Sequence, residues 1–515
     1  RDFFPIPVSN RERKLRVTMR LLGLHNVYAA LAAVAVGLAF DVPLAEALEA
    51  LVEMNPLPGR LNPLAGQHGS LILDDTYSAS PASTLAALDT LALYQNGRRI
   101  AVLGDLLDLG TFEVEAYRRV GQRTAQVCDL LVTQGDSASR VSAEAQAAGL
   151  SAQSALVTHT SQDTIRALAD QMQPGDTLLV KGAMESRMER VVAALVAEPD
   201  QAAQSLVRQT EGWQKVRILR PGRPTWVEVD LEAIAHNVRR VTQIVGSGVD
   251  VLAVLKADGY GHGMVRVAHT ALNNGARYLG VASINEGSML RQHGVRAPIL
   301  VLGFTPAWQA RDLVMNDLTA TVFDHDVARA VSRAARELDA RGRVHIKVDT
   351  GMGRLGLLPE QVLPFALELR DLPYLLLEGI FTHFSVADSD PDYTKWQIDR
   401  FRGVLAVLVR EGFKIPLVHA ANSAAILSLP ESHGRNWFPG EGFRGMVRLG
   451  LAMYGLHPSP QVPCPPDFRP ALAFKTQVAQ VKALPPGSYV SYGNTYQTSG
   501  EQQIAVIPVG YADGF

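Results

Sequence analysis

The order of hydrophobic and polar positions divides the chain into two stretches in which apolar runs alternate with helical periodicity. Between residues 70 and 195, apolar runs of about four to eight residues predict strands at SLILDD, RRIAVLGD, CDLLVTQGD, SALVTH and DTLLVKG. Segments with helical spacing, such as PASTLAALDTLALY and SQDTIRALADQM, separate these runs. This alternation predicts an open parallel sheet with helices on its faces.

The second stretch begins at residue 225 and repeats the same alternation more regularly. Strand-like runs extend from WVEVD through VDVLAVLK and RVHIKVD to MVRLGLAMYG, and amphipathic segments such as DVARAVSRAARELDARG separate most of them. About eight or nine such units in roughly 230 residues match a (β/α)8 barrel. In that fold the catalytic residues lie where strands end and loops begin.

Two other stretches lack this alternation. EPDQAAQSLVRQTEGWQKVRILRPGRP, residues 198–224, is polar with glycine and proline near its end, which predicts a linker. After residue 460 the strand-like runs have no helix between them, which predicts the start of a separate β domain. We therefore expect units at 1–68, 69–197, 225–460 and 461–515, with the linker at 198–224.

Composition narrows the class of partner. With 515 residues, of which 47% are hydrophobic, the chain should form more than one globular domain. A net charge of −2 and a pI near 6.7 provide no basic surface for nucleic acid or an anionic membrane, so small-molecule partners are expected. Cys128 and Cys464 lack zinc or CxxC spacing, which predicts no metal site and a reducing, cytoplasmic location.

The ends of the chain and one apolar segment need separate consideration. NVYAALAAVAVGLAF, residues 26–40, is shorter than the ~20 residues that span a membrane, so we expect a buried helix there. The chain opens on RDFFPIPVSN without methionine or a signal-peptide pattern and stops after PVGYADGF. We expect a fragment at both ends.

Lys256 is the strongest candidate for chemistry. Lysine is scarce, at nine residues against forty arginines, and AVLKADGYGHG places Lys256 at the end of a barrel strand before a glycine-rich loop. Burial in a cavity would lower the pKa of its amine and make it a nucleophile able to form a Schiff base with an aldehyde. The alternative is a structural ion pair.

Other strand ends supply complementary groups. Arg354 in DTGMGRLG suits a substrate carboxylate, or forms a surface ion pair. His383 in THFSVAD lies either against an aromatic ring or in the core, bonded to backbone. A hydroxyl with glycine-exposed amides commonly holds phosphate in barrels; HAANSAA and MVRLG provide His419, Asn422, Ser423, Arg448 and Gly450. Together these groups predict an aldehyde cofactor with a phosphate, which describes pyridoxal 5'-phosphate.

The motifs WVEVDLEAIAHNV, AVLKADGYGHG, KVDTGMGRLG, THFSVAD, HAANSAA, MVRLGLAMYG, VSYGNTY and PVGYADGF resemble alanine racemase from about residue 225 to 515. The resemblance implies that Lys256 carries the cofactor and that Arg448 faces the pyridine nitrogen, keeping it unprotonated and suppressing side reactions such as transamination. It also implies two groups of cofactor contacts: Tyr260, Ser423, Gly450 and Leu451 near the phosphate, and His383, His419 and Asn422 around the ring.

Racemisation needs two acid–base groups, one on each face of the α-carbon. The resemblance implies Lys256 and Tyr492 in these roles, with Tyr492 supplied by the partner subunit of a homodimer that interconverts L- and D-alanine. Arg354 would then lie near Tyr492, Lys347 matches a lysine that is often carbamylated and positions Arg354, and Tyr511 matches a residue at the substrate entry.

Two departures and two alternatives accompany this resemblance. The insertion HGRNWFPGEGFRG, residues 433–445, is longer than expected, and the rest of the family's β domain is absent, so the chain is expected to bind cofactor yet racemise poorly.

One alternative function is that of a cofactor carrier without turnover. A related family of such carriers consists of the barrel alone, so Tyr492 and the start of a β domain speak against this alternative. The other is a racemase for a different amino acid, such as serine.

The first two hundred residues carry a second resemblance. GLHNVYAALAAVAVGLAF, LPGRL, LILDDTYSASP, AVLGDLLDLG and LVKGAMESRMERVV resemble the C-terminal half of a Mur ligase, of the type that adds D-alanyl-D-alanine to the UDP-muramoyl tripeptide. Residues 1–68 would be the end of the central domain with its connection, and 69–197 the Rossmann-like C-terminal domain. The resemblance implies Asn26 near adenine, Arg60 and Asp75 around the nucleotide, and Lys181 near the incoming dipeptide.

This half departs from the ligase pattern. Ala29, Ser78 and Ser80 stand where the family has asparagines, KGSR becomes KGAM, and no glycine–lysine dipeptide provides a P-loop. We expect the domain that binds ATP and Mg²⁺ to lie upstream and ligase activity to be absent from this chain alone; a scaffold that docks other Mur enzymes is the alternative. In a fusion of the two activities, one half would make D-alanine. Once two D-alanines are joined into the dipeptide, the other half would use it for peptidoglycan.

Overall fold

The first described elements form a small helical layer. The computed structural model describes residues 5–10, 13–107, 109–210, 213, 223–433 and 443–514. Strands β1 (Pro5–Asn10) and β2 (Arg13–Thr18) pair antiparallel, and helices α1 (Leu24–Ala39) and α2 (Leu44–Glu53) pack together beside them. The segment 26–40 is helical as predicted, but its predicted burial is wrong. Within α1 only Ala30 and Val34 are buried, because the helix contacts its neighbours along one face.

A parallel sheet follows, as the first alternating stretch predicts. This sheet has six strands among the described residues, in the order β3-β4-β8-β5-β6-β7, and within it only β3 runs antiparallel to its neighbour. The sheet begins before the expected boundary at residue 69. Its strands are β3 (Asn62–Ala65), β4 (Leu71–Asp75), β5 (Arg99–Gly104), β6 (Leu130–Gln134), β7 (Ala155–Thr158) and β8 (Thr177–Lys181).

Helices cover both faces of this sheet and enclose two separate apolar cores. They are α3 (Pro81–Leu91), α4 (Glu113–Val127), α5 (Ala138–Ala147), α6 (Ser161–Ala169), α7 (Glu189–Leu195) and α8 (Ala202–Ser205). The last of these lies inside the expected linker 198–224, most of whose second half falls outside the described residues.

The second alternating stretch forms a closed barrel. In the part of the chain from 223 to 514 that the structure describes, eight parallel strands close when the last pairs with the first. They are β10 (Val249–Val254), β11 (Ala276–Val281), β12 (Ile299–Val301), β13 (Thr319–Val322), β14 (Gly342–Lys347), β15 (Leu375–Phe381), β16 (Leu417–His419) and β17 (Arg444–Leu449). The predicted fold class is therefore confirmed.

Helices surround the barrel, and side-chain caps fix where several begin. Asp230 accepts hydrogen bonds from two first-turn amides, and Asp324 does the same on a later helix. The helices are α9 (Leu231–Val245), α10 (Met264–Asn273), α11 (Ile284–Gln292), α12 (Ala310–Met315), α13 (His325–Glu337), α14 (Pro359–Arg370), α15 (Pro391–Arg410) and α16 (Ser423–Ser428).

One predicted barrel unit belongs elsewhere. WVEVD forms β9 (Thr225–Val229), which pairs antiparallel with β18 (Leu472–Thr476) and not with a barrel strand. The remaining strands of the C-terminal part are β19 (Gln480–Leu484), β20 (Tyr489–Val490), β21 (Tyr496–Gln497) and β22 (Gln502–Val506), in two further antiparallel pairs. Most of the insertion 433–445 lies outside the described residues.

The parallel-sheet domain contacts the barrel directly through α10. The buried Asp163 of α6 accepts hydrogen bonds of 3.0 Å from the side-chain amides of Asn273 and Asn274. The rings of His159 and His269 stack, with their nitrogens 3.2 Å apart. Asn273 and Asn274 lie at the end of α10 that leads into β11, so their part of the contact lies toward the amino ends of the barrel strands, away from the predicted site.

No helix among the described residues is both long and apolar enough to cross a membrane.

Candidate functional site

A cavity of about 530 Å³ opens at the carboxyl ends of the barrel strands. Most of the residues predicted for the racemase site line it: Lys256, Tyr260, Lys347, Arg354, His383, Asn422, Ser423, Arg448, Gly450 and Leu451. His419 lies behind this lining, fully buried, and contacts Arg448. The structure thus brings together residues that are scattered over about 200 positions of sequence, as the barrel geometry requires.

Lys256 begins a left-handed turn. Ala257, Asp258 and Gly259 have φ values of 53°, 53° and 63°, a conformation that non-glycine residues rarely adopt. Glu286 holds the turn at one end by accepting the Ala257 amide at 2.8 Å, and Asp258 caps α10 through the Met264 amide at 2.8 Å. The backbone around the lysine is therefore fixed on both sides.

The predicted burial of Lys256 is wrong for this chain. Its side chain is exposed, because strand β10 ends at Val254 and the turn carries the lysine to the open mouth of the cavity. The Nζ atom lies 5.5 Å from the centre of the Tyr260 ring. The lysine is accessible to a ligand in the cavity.

A cradle for an anion forms where Ser423 meets the end of β17. The Ser423 hydroxyl accepts hydrogen bonds from the amides of Gly450, at 3.0 Å, and Ala452, at 3.3 Å. Since both bonds use the oxygen as acceptor, the hydroxyl proton remains available to a ligand. A Cβ on Gly450 would lie 3.3 Å from the Tyr260 hydroxyl, so glycine keeps the space between these groups open.

Arg448 is buried at the other side of the cavity. Its guanidinium donates to the ring nitrogens of His419 and His383, each at 2.9 Å, and to two backbone carbonyls. Burial lowers the pKa of Arg448 to about 9, so it remains a cation at neutral pH. Burial and the charge of Arg448 lower the pKa of His383 to about 2 and hold that of His419 well below its usual value. Both imidazoles are neutral.

Lys347 ends strand β14 beside this group. Burial lowers the pKa of its amine to about 8, and the charges of Arg448 and Arg354 act in the same direction. Arg354 itself is exposed on the following loop, where Asp349 accepts the amides of residues 351–353. Arg354, which is predicted to bind a substrate carboxylate, is therefore close enough to Lys347 for its charge to lower the pKa of that amine.

Two predicted residues lie away from the cavity. Tyr492 and Tyr511 are each 90% exposed and do not line it. Both are on the C-terminal part of the chain, in short turns. In the described part of one chain, the tyrosine that the sequence predicts as the second acid–base group therefore lies outside the cavity.

Sequence reasoning missed several residues that support the site. Phe381 stacks on His419, with ring centres 4.6 Å apart and an angle of 8° between planes. His345 and Glu378 lie behind His419, and the Tyr454 hydroxyl donates to the carbonyl of Val254 just before Lys256. The signal available was a histidine in HIKVD and a glutamate in LLEGIF, two polar residues within apolar runs, because a buried polar side chain is unfavourable unless it has a partner.

The Mur-like part has its own polar cluster at the carboxyl ends of adjacent strands β4 and β8. The Lys181 amine contacts the Asp75 carboxylate at 2.6 Å and the Ser78 carbonyl at 2.9 Å, and burial lowers its pKa although Asp75 opposes this. The Arg60 guanidinium lies 4.0 Å from the centre of the Tyr77 ring. Asn26 lies on α1 and donates to the carbonyl of Leu22. Among the described residues no group of histidine, cysteine or acidic side chains could hold a metal ion.

Family models match three parts of the chain. Residues 59–184 match the Mur ligase glutamate ligase domain, residues 229–458 the alanine racemase N-terminal domain, and residues 471–515 the alanine racemase C-terminal domain. The matched ranges contain the parallel sheet from β3 to β8, the barrel with its cavity, and the C-terminal strands. The chain is therefore similar to two different families in two successive parts.

Individual proteins agree with the racemase match. The alanine racemase of Desulfovibrio desulfuricans is 45% identical over 294 residues, which cover 57% of this chain and 76% of that protein. The alanine racemase structure from Clostridium difficile 630 has a TM-score of 0.52 at 35% identity, covering 57% of this chain and 75% of that one. A histidine racemase from Leuconostoc mesenteroides has a TM-score of 0.50 at 27% identity, over 57% and 77%.

These similarities assign residues 229–515 to an enzyme class, the amino-acid racemases. The cavity lies at the carboxyl ends of the barrel strands, where the sequence predicts the catalytic residues. The first part carries the domain of a second enzyme family. Through residues 229–515, behind a Mur ligase C-terminal domain, the chain belongs to the alanine racemase family.

Proposed function

We propose that the protein interconverts L- and D-alanine with pyridoxal 5'-phosphate held on Lys256, and that this D-alanine serves peptidoglycan synthesis. The observation that carries the proposal is the barrel cavity, which is lined by an accessible lysine, a serine–glycine cradle and a buried arginine. Each suits one part of that cofactor, and the alanine racemase relatives support the choice of substrate.

The residues present fit the cofactor. The Lys256 amine is exposed to the cavity and suits the aldehyde. The free hydroxyl proton of Ser423, with the space beside Gly450, suits the phosphate oxygens. Arg448 has only donors, so it can hydrogen-bond an unprotonated ring nitrogen but cannot accept a proton from it. His383, His419 and Asn422 surround that side.

Proton transfer at the substrate α-carbon is assigned to two residues. The cofactor supplies an electron sink for the negative charge that develops at that carbon. Lys256 removes or returns the proton on one face, and Tyr492 of the partner subunit does so on the other. Arg354 is positioned to bind the substrate carboxylate and, as a cation, to favour ionisation of that tyrosine; Tyr511 of the partner subunit would lie at the substrate entry. The proposal therefore requires a homodimer.

We assign the Mur-like part to the side of a D-alanyl-D-alanine-adding ligase that meets the UDP-muramoyl peptide and the dipeptide. Support comes from Lys181 and Asp75 at the carboxyl ends of adjacent strands, where open α/β sheets bind ligands. ATP and Mg²⁺ would need phosphate-binding residues that this sequence lacks. Two buried, unpaired cysteines, Cys128 and Cys464, support a cytoplasmic location.

Hydrogen exchange at the α-carbon tests the racemase proposal. The purified protein is incubated with pyridoxal 5'-phosphate and L-alanine in deuterated water, and the α-proton signal and the amount of D-alanine are followed together. We expect the proton to be lost while D-alanine accumulates. Cofactor binding without exchange would favour a carrier role, and exchange of serine or histidine but not alanine would reassign the substrate.

Lys347 should form a carbamate in a pH-dependent manner. Only a neutral amine reacts with carbon dioxide, and the pKa of Lys347 is lowered to about 8. At constant dissolved carbon dioxide, labelling with ¹³C should therefore rise with pH, by about tenfold or more per unit well below pH 8. The carbamate is negatively charged, so it would attract Arg354 and Arg448, whereas the protonated Lys347 amine repels them.

The carbamate is measured by ¹³C nuclear magnetic resonance (NMR), with Lys347→Arg as the variant that should lose the signal. Lys395→Arg, which changes a lysine of helix α15 outside the cavity lining, is the matched control. A signal that is insensitive to pH, or that persists in Lys347→Arg, would contradict this assignment.

A further inference from the structure

A row of polar side chains crosses the barrel interior behind Arg448. His419 Nδ1 lies 2.9 Å from Arg448 Nη1, and His419 Nε2 lies 2.9 Å from His345 Nδ1. His345 Nε2 in turn lies 3.4 Å from a carboxylate oxygen of Glu378, which also accepts the Thr319 hydroxyl at 3.1 Å. Each of these five residues lies on a different strand, and the strands are consecutive: Thr319 on β13, His345 on β14, Glu378 on β15, His419 on β16 and Arg448 on β17.

The contact with the guanidinium reveals the direction of the bonds in this row. Arginine has no acceptor, so Arg448 donates and His419 Nδ1 must be unprotonated. The proton of the neutral His419 ring is then on Nε2, which donates to His345 Nδ1. By the same reasoning the His345 proton is on Nε2, which points to Glu378. One tautomer of each histidine satisfies all of these contacts.

Packing holds the two rings in this arrangement. A Cβ on Gly379 would lie 2.5–2.7 Å from three atoms of the His345 ring, so glycine at that position provides the space that the ring occupies. The His419 ring is stacked on Phe381. Both histidines have 0% exposure, so water does not replace either partner.

Glu378 is the negative end of the row. His345 Nε2 is buried and makes no hydrogen bond of ordinary geometry within the described residues; the Glu378 carboxylate, at 3.4 Å, is the acceptor that it faces. Burial by itself raises the pKa of Glu378, but His345, Arg343 and Thr319 together hold the pKa below its usual value. The carboxylate is therefore ionised at neutral pH and can accept from the imidazole.

We propose that Glu378 and His345 are positioning residues of the racemase site. The carboxylate selects the tautomer of His345, this selects the tautomer of His419, and the unprotonated Nδ1 of His419 holds the Arg448 guanidinium toward the ring nitrogen of the cofactor. The role at the cofactor rests on the proposed function. The tautomer selection is a property of this chain alone and can be measured without cofactor.

The first measurement is NMR of the full chain labelled with ¹⁵N-histidine, without cofactor. His345→Gln and His419→Gln identify the two sets of ring signals. We expect the proton on Nε2 of both rings in the parent protein and in Glu378→Gln, whose amide oxygen still accepts. In Glu378→Leu the acceptor is lost, and the second tautomer should appear. Unchanged tautomers in Glu378→Leu, or a proton on Nδ1 in the parent, would overturn the proposal.

The second measurement is cofactor binding, followed by the absorbance of bound pyridoxal 5'-phosphate. Glu378→Leu should bind about tenfold more weakly, with a shifted absorbance maximum, because Arg448 loses a fixed partner. Glu378→Gln should bind within about twofold of the parent. Equal binding by Glu378→Leu and the parent would contradict the positioning role. If the parent itself binds no cofactor, the proposed function fails, while the tautomer result stands.

A matched control separates positioning from loss of fold. Asp250 is another buried carboxylate of the barrel, on β10, where it pairs with Arg444 at 2.6 Å and is outside the row. Asp250→Asn and Glu378→Leu should both lower the unfolding temperature, but only Glu378→Leu should change the histidine signals and the cofactor absorbance. The same spectral change in both variants would show a general loss of barrel packing and overturn the proposal.

Discussion

Lys256→Ala is expected to abolish racemase activity, with a fall in rate of at least about 10³-fold. General acid–base catalysis alone contributes roughly 10²–10⁴-fold, and this lysine is also the proposed attachment point of the cofactor. Among the described residues, the other lysine in the cavity lining is Lys347, which lies on a different barrel strand, β14. The absorbance of the attached cofactor should disappear together with the activity.

The measurement is the rate of D-alanine formation at saturating cofactor, with absorbance recorded on the same samples. Lys414→Ala, which removes an exposed lysine on the loop after α15, is the control and should retain full activity. If Lys256→Ala kept more than about a tenth of the rate, a lysine that both attaches the cofactor and transfers the proton would be ruled out.

Tyr492→Phe is expected to be nearly inactive by itself and to recover activity when mixed with Lys256→Ala. Removing the phenolic proton should reduce the rate by about 10²–10⁴-fold. Tyr492 is exposed and lies outside the cavity of its own chain, so each site should take Lys256 from one subunit and Tyr492 from the other. A mixed dimer then contains one site with both residues intact.

The two inactive variants are unfolded together, refolded at equal concentration and assayed. Random pairing should restore about a quarter of the parent activity, because half of the dimers are mixed and half of their sites are intact. Tyr489→Phe, an exposed tyrosine close to Tyr492, is the control and should be fully active alone. No recovery on mixing, with each variant correctly folded, would mean that the two residues act within one chain.

The architecture was predictable because both halves alternate strands and helices with a clear period. WVEVD was assigned to the barrel wrongly because a short apolar run does not reveal its partner; β9 pairs with β18, almost 250 residues away. Burial of the helix at 26–40 failed for a similar reason. A uniformly apolar segment does not indicate which face is covered, and here only one face is.

The site was predictable where a residue's role depends on its place at a strand end. Ser423 and Arg448 fall into this class, because barrel strands present their carboxyl ends to one cavity. The exposure of Lys256 depends on a left-handed turn in which two non-glycine residues, Ala257 and Asp258, adopt positive φ against their usual preference. His345 and Glu378 act through another side chain, and only their three-dimensional contacts reveal this.

The contact between the two domains limits how their sequences can change. On the outward face of α10, His269 and Asn273 meet the Mur-like domain where an unfused racemase would meet solvent. Exchange of either half for an unfused relative would leave Asp163 buried without its amide partners, or would expose them. Substitutions on one side of this contact therefore have to be matched on the other, and the two halves are expected to evolve as a pair.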